Sequence, residues 1–238
     1  MLEILYQDEN LIAINKPSRL LVHKSLIDRR ETRFAVQILR DQINQYVYPL
    51  HRLDKPTSGV LLFALNKEMA KNMSNIIQAR ETQKEYVAIV RGIVNEKERI
   101  DYALKEVLDK MTDSKANKDK EAQEAITEYE RLDTIELPFK VGKHETSRYS
   151  LVKLNPKTGR KHQLRRHMKH IFHPIVGDTT HGDLRHTKFF RNQFDSQRLL
   201  LHASKLSFIH PISNKRVIIN AGFDETFELL FEEFNWKI

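Results

Sequence analysis

The chain has 238 residues, 40% hydrophobic and 30% charged, the balance of a soluble globular protein with a sizeable core rather than of a disordered one. Lys and Arg number 40 against 32 Asp and Glu, a formal charge of +8, which favours a polyanionic partner because each phosphate contact releases condensed counterions; a basic enzyme with no such partner is the competing reading. Cysteine is absent, which excludes disulfides, thiolate catalysis and cysteine-based zinc sites and fits a reducing compartment. The start "MLEILYQDEN" has neither the basic nor the long apolar region of a signal peptide. No apolar run approaches the ~18–20 residues of a membrane span, so a cytoplasmic protein is expected.

In chain order, two short strands are expected at Leu2–Tyr6 and Leu11–Asn15, joined by a polar turn and stopped by Pro17. Helical spacing of Phe34, Val36, Ile38, Leu39 and Ile43 predicts a helix around Thr32–Ile43. The run "VLLFAL" (Val60–Leu65) suits a strand covered on both faces. Asn66 offers an N-cap to an amphipathic helix carrying Met69, Met73 and Ile76 or Ile77. Lys84–Gly92 is strand-like. Residues 105–124 are almost wholly polar and are expected as a mobile insertion, either an RNA-touching arm or a solvated loop. Strand character returns at Ala125–Leu132 and Arg148–Leu154, and a basic helix is expected after the Thr158-Gly159 turn. Two late strands flank a hairpin turn at Pro211–Asn214, and Phe223–Trp236 reads as an amphipathic helix. Strands and helices without regular βαβ alternation predict an α+β fold around a largely antiparallel sheet.

The stretch "HRLDKPTSG" (His51–Gly59) sets Asp54 between Arg52 and Lys55 and follows it with a stiff turn. The acid is expected on a strand-exit loop fixed by Pro56. A neighbouring guanidinium favours an ionised carboxylate, available as a nucleophile. On these residues alone a catalytic acid and a loop ion pair both remain open. A metal-dependent phosphoesterase would want clustered carboxylates, and Asp54 stands alone between bases. His162, His167, His170 and His173 are close in sequence, but no HExxH-type pair exists. Lys157, Arg160, Lys161, Arg165, Arg166 and Lys169 oppose a divalent ion, so no metal site is expected and a basic RNA-facing helix is preferred. "PIVGD" (Pro174–Asp178) is given a structural role in a turn.

Three blocks, "HRLDKPTSGVLLFALNK", "KEYVAIVRG" and "LNPKTGRKHQLRRHMKHIFHPIVGD", occur in the order found in RluA-type pseudouridine synthases. That family's hallmark is His-Arg-Leu-Asp, two residues, then Thr-Ser-Gly. The blocks span most of residues 51–178, and "NKPSRLLVH" also resembles the family's opening strand and turn. The resemblance implies a pseudouridine synthase fold: a mixed, mostly antiparallel central sheet flanked by helices and loops, with an active-site cleft. It implies one catalytic domain over residues 1–238, without a separate N-terminal RNA-binding domain. Asp54 would be the essential carboxylate, either attacking covalently or assisting base detachment and C2′ deprotonation. Arg165 would pair with it in a bidentate fork, and Tyr86 would stack on the target base. Arg52 would fill the space left by a flipped nucleotide and touch the backbone. His51, Thr57, Arg160, Lys161, His162 and Gln163 complete the expected substrate-binding set.

The reaction breaks N1–C1′, turns the base and rejoins it through C5. It needs no redox step, nucleotide or other cofactor, and no metal. The text "MLEILYQDE", "RDQI", "NPKTGRKHQLRRH" and "GDTTHGDLR" resembles a subgroup acting on tRNA, which implies the T-stem uridine 65. Many relatives carry Tyr where His181 stands. The expected partner is tRNA, with no membrane and a monomer as the default. An rRNA-specific or dual-substrate enzyme remains the alternative. A non-catalytic RNA-binding protein is the reading from another class, opposed by the joint presence of Asp54, Tyr86 and Arg165.

Overall fold

The computed structural model describes residues 1–24, 31–106 and 121–237. Most of the polar stretch expected as an insertion over 105–124 lies outside the described residues. The apolar runs of the sequence need cover on both faces, and a sheet sandwiched between helices supplies it. Its strands are β1 (Glu3–Gln7), β2 (Leu11–Lys16), β3 (Tyr48–Pro49), β4 (Ser58–Ala64), β5 (Gln83–Arg91), β6 (Lys97–Asp101), β7 (Ile126–Leu137), β8 (Ser147–Pro156), β9 (Leu201–Ile209) and β10 (Arg216–Asn220). They lie in the order β1-β2-β4-β9-β5-β8-β7-β6, with β3 on β4 and β10 on β9. Among the described residues the β4–β9 pairing is parallel and the others antiparallel. The expected mixed, mostly antiparallel sheet is therefore present.

The helices are α1 (Ala35–Ile43), α2 (Lys67–Gln78), α3 (Gln163–His170), α4 (Leu184–Phe194) and α5 (Glu225–Glu233). Alternate residues of each central strand go to opposite faces. Ile12, Ile14, Leu61 and Phe63 pack with Ala35 and Leu39 of α1, whereas Leu11, Ala13, Val60 and Leu62 pack with Met69 and Met73 of α2. Further along the sheet, Ala88 and Val90 meet Leu164 and Met168 of α3. Val87 and Ile89 join the aromatic cluster of α4 and α5, where Phe190, Phe227, Phe231 and Trp236 are buried. Asn66 caps α2 as expected, its Oδ1 accepting from the Met69 amide at 2.8 Å.

Several boundaries differ from the sequence reading. The first helix begins at Ala35 rather than Thr32, after Phe34 adopts an extended backbone. The strand expected at Ala125–Leu132 runs on to Leu137, and the strand expected at Arg148–Leu154 to Pro156, because the two pair along almost their whole length. The short edge strand Lys97–Asp101 and the helix Leu184–Phe194 had no sequence expectation. The helix carries cationic residues among its aromatics, which masks its apolar face.

Candidate active site

The site is assembled where β9 lies between β4 and β5. Ser58 pairs with His202 and Gly59 with Ala203. Gly59 has φ +109°, and a Cβ there would lie 2.2 Å from the Ala203 carbonyl oxygen, so only glycine lets the two strands approach this closely. On the other side of β9, Glu85 pairs with Lys205 and Val87 with His202, so Ala203 and Ser204 together face Tyr86. This bulge re-aims the local side chains and puts the turn before β4 beside Tyr86. Tyr86 packs on both the α1-side and α3-side clusters.

Asp54 lies on the connection that leaves the two-residue β3 and enters β4. Its carbonyl accepts from the Thr57 amide at 3.0 Å. A second clamp comes from Lys16, whose side chain is wholly buried. Its ammonium donates to the carbonyls of Pro17, Leu20 and Lys55 at 2.9, 2.8 and 3.2 Å. Burial pulls the Lys16 amine down to about 7, helped by the nearby Arg198 charge and opposed by Asp54. Behind the turn, Ser58 Oγ contacts His202 Nδ1 at 2.7 Å and accepts from Arg198 Nη2 at 2.7 Å, and Arg198 pairs with Asp224.

The Asp54 side chain is 29% exposed, enough to meet a ligand while its partners stay buried. Arg165 Nη1 donates to Asp54 Oδ2 at 3.1 Å. The expected bidentate fork exists, but on a different acid. Arg165 Nε and Nη2 donate to Asp178 Oδ2 and Oδ1 at 2.7 and 2.8 Å. Asp178 Oδ1 also accepts the Thr180 and His181 amides, both at 2.9 Å. Burial works to raise the Asp178 carboxyl, but these donors outweigh it and hold it below the usual carboxylate range. The turn expected to be merely structural thus supplies the residue that orients the guanidinium. Gly177, at φ +80° with the Arg198 carbonyl 1.9 Å from where a Cβ would be, brings Asp178 in.

His162 lies at the N-terminus of α3 in the left-handed region, φ 55°. Its Nε2 is 3.8 Å from Asp54 Oδ2 and its Nδ1 is 2.9 Å from His181 Nε2. Burial lowers both imidazoles, that of His181 to about 4. Burial, and then the Asp54 charge, raises the Tyr86 phenol, so its hydroxyl stays protonated at neutral pH.

Other residues singled out in the sequence occupy different settings. Arg52, two residues before the acid in the chain, is exposed. Lys55, its counterpart on the other side, meets Glu31 at 2.9 Å. His51 Nε2 accepts the Leu62 amide at 3.1 Å, and burial, then Lys84, pushes its imidazole down to about 3. Thr57 is buried. Gln163 is buried and joins Thr158 and the Arg160 amide to Ile126 and Thr127 of β7. Arg160 Nε donates to the Glu124 carbonyl at 3.0 Å, and Lys161 is exposed. The basic segment is therefore mixed: Arg165 of α3 is buried, Lys157 before the helix meets Glu128 at 2.7 Å, and Lys169 is exposed. His167 contacts Thr127 Oγ1 and the Tyr102 carbonyl, His170 stacks on Tyr102, and His173 contacts the Arg91 carbonyl.

Residues 10–170 match the family described as RNA pseudouridylate synthase. A tRNA pseudouridine synthase C from Vibrio parahaemolyticus is 55% identical over 235 residues, covering 99% of this chain and 96% of the relative. One from Haemophilus influenzae is 54% identical over 237 residues, covering 100% and 99%. Among solved structures, Human RNA Pseudouridylate Synthase Domain Containing 4 superposes with a TM-score of 0.73 at 25% identity, covering 99% of this chain and 94% of that one. Human RNA Pseudouridylate Synthase Domain Containing 1 gives 0.71 at 26% identity, covering 94% and 84%.

Proposed function

The chain belongs to the RNA pseudouridylate synthase family, and on that premise we propose that it converts uridine to pseudouridine in tRNA, at uridine 65 of the T stem. The substrate class follows from the relatives' names and from the surplus of 8 positive charges. The observation that carries the chemistry is the partly exposed Asp54 carboxylate held at 3.1 Å by a buried guanidinium, beside Tyr86.

The isomerisation balances without a co-reactant: N1–C1′ breaks, C5–C1′ forms, C5 gives up its proton and N1 gains one. The target base must leave its stack before a side chain can reach C1′. Arg52, exposed and two residues before the acid in the chain, takes the RNA backbone at that point. Asp54 is the reactive carboxylate. Arg165 aims it through Oδ2, leaving Oδ1 outside that contact. Tyr86 offers a flat face against which uracil turns, and its protonated hydroxyl lies on the side of the acid. Lys161, His162 and Lys169 border the site on the α3 side, Arg160 adds to the cationic surface that takes the RNA, and His51, Thr57 and Gln163 act by holding the frame. The protein works as a monomer without a nucleotide cofactor.

Asp54→Ala tests the assignment. It abolishes pseudouridine formation in a tRNA transcript while RNA affinity stays within a few-fold; turnover that survives the substitution rules out the role given to Asp54.

A further inference from the structure

His162 and His181 form a pair that the reaction outlined above does not use. With His162 Nδ1 and His181 Nε2 2.9 Å apart, one nitrogen carries the hydrogen and the other the lone pair. Two neutral arrangements exist. If His162 donates, its bare Nε2 lone pair faces the Asp54 carboxylate. If His181 donates, His162 places an Nε2–H toward Asp54 Oδ2 instead. The second arrangement is the electrostatically favoured one. The charged groups around the pair are Asp54 on the β4 turn, Lys161, Arg165 and Lys169 on or beside α3, and Asp178 on the turn that follows it. Burial keeps both rings neutral near pH 7.

The gap between His162 Nε2 and Asp54 Oδ2 is 3.8 Å, too long for a direct hydrogen bond. One hydroxyl set to the side of that gap reaches both atoms at about 2.8 Å, accepting from Nε2–H and donating to Oδ2. The backbone of His162 is held in the left-handed region, φ 55°, which a non-glycine residue adopts at a cost and which recurs at ligand clamps. Its carbonyl accepts from the Arg166 amide at 2.9 Å, fixing the ring at the head of α3. The hydroxyl nearest to an acid working at C1′ is the one on the adjacent ribose carbon.

We infer that His162 and Asp54 together bind the ribose 2′-hydroxyl of the target nucleotide, and that His181 is the positioning residue that fixes the His162 tautomer. This rests on the reading of Asp54 as the reactive acid. It gives the site a means of telling RNA from DNA at the nucleotide it modifies, since the 2′-hydroxyl is the group that differs.

The test compares T-arm RNA carrying uridine with the same RNA carrying 2′-deoxyuridine at the modified position. Affinity for the first comes from the concentration dependence of single turnovers, and for the second from its inhibition of them. The unaltered protein prefers the ribonucleotide by about ten-fold, the worth of one hydrogen bond to a charged or strongly polar partner. His162→Phe reduces that preference to near unity. His181→Phe does the same, whereas His181→Gln, which carries an amide N–H close to the lost Nε2–H, restores most of it. A ten-fold preference that persists in His162→Phe, or its absence in the unaltered protein, overturns the hydroxyl site. So does equal behaviour of His181→Phe and His181→Gln, for the positioning role. Pseudouridine formed by the unaltered protein on the uridine RNA is scored in parallel. Its absence removes the parent reading, whereas its presence alongside an unchanged preference removes only this inference.

Discussion

Asp178 grips Arg165 through both carboxylate oxygens, at 2.7 and 2.8 Å, and so leaves a single guanidinium nitrogen for Asp54. Asp54 is thus held by a side chain that is itself locked by a second, buried acid.

Asp178→Asn breaks that lock. Asparagine cannot match the charge or accept two guanidinium bonds, so Arg165 is left buried and partly unpaired. The fold loses about 3 kcal/mol, read by urea unfolding. Turnover falls about a hundredfold through lost alignment, with RNA affinity changed by no more than a few-fold. Wild-type turnover in a destabilised variant would show that Asp178 serves the fold alone.

Arg52→Ala acts on binding. Arg52 is exposed, two residues before the acid in the chain, so its loss weakens RNA affinity. It also lowers the slope of log affinity against log salt by about 1. Single turnovers at saturating RNA stay within about threefold of the original. An unchanged salt slope would mean that Arg52 does not meet a phosphate.

Gly59→Ala tests the strand junction. The new methyl would meet the Ala203 carbonyl at 2.2 Å from a backbone at φ +109°, and β4 or β9 must move. Destabilisation of about 3 kcal/mol is expected, with activity lost even at temperatures where the variant stays folded, because Asp54 and Tyr86 are brought together at that junction. Full activity in a folded variant would contradict this.

Lys16 predicts a pH dependence. Its amine is lowered from 10.5 to about 7 in the folded chain, so between those values the unfolded chain holds the extra proton. Stability therefore rises with pH across that window as far as Lys16 is concerned. Lys16→Met removes this term and leaves carbonyls of Pro17, Leu20 and Lys55 without their donor, costing about 3 kcal/mol. Urea unfolding at pH 7, 8 and 9 should show the gap between wild type and variant widening with pH; parallel curves would place the proton elsewhere.

The strands Leu11–Lys16 and Ser58–Ala64 were legible because burial on both faces writes continuous apolar text, and Gln83–Arg91 through the shorter buried run Val87–Val90. Asp54, Tyr86 and Arg165 were legible only through their motifs, since nothing local ties residue 54 to residue 165. The fork on Asp178 was missed because Arg165 has two acids within reach and sequence order does not rank them. Lys16 was missed for a different reason: a lysine before a proline reads as surface, and its ammonium turns inward to the Pro17 and Leu20 carbonyls that follow it and to the distant Lys55 carbonyl. Lys97–Asp101 and Leu184–Phe194 were missed because their charges conceal the face they bury.

The placement of β9 ties the two halves of the sheet together. It is the ninth strand along the chain but the central seam of the sheet, pairing β4 on one side and β5 on the other. Without it the strand order falls into two parts, β1-β2-β4 and β5-β8-β7-β6, with the turn that carries Asp54 beside the first and Tyr86 on the second. Residues 54 and 86 therefore come together only through a strand that is made after both.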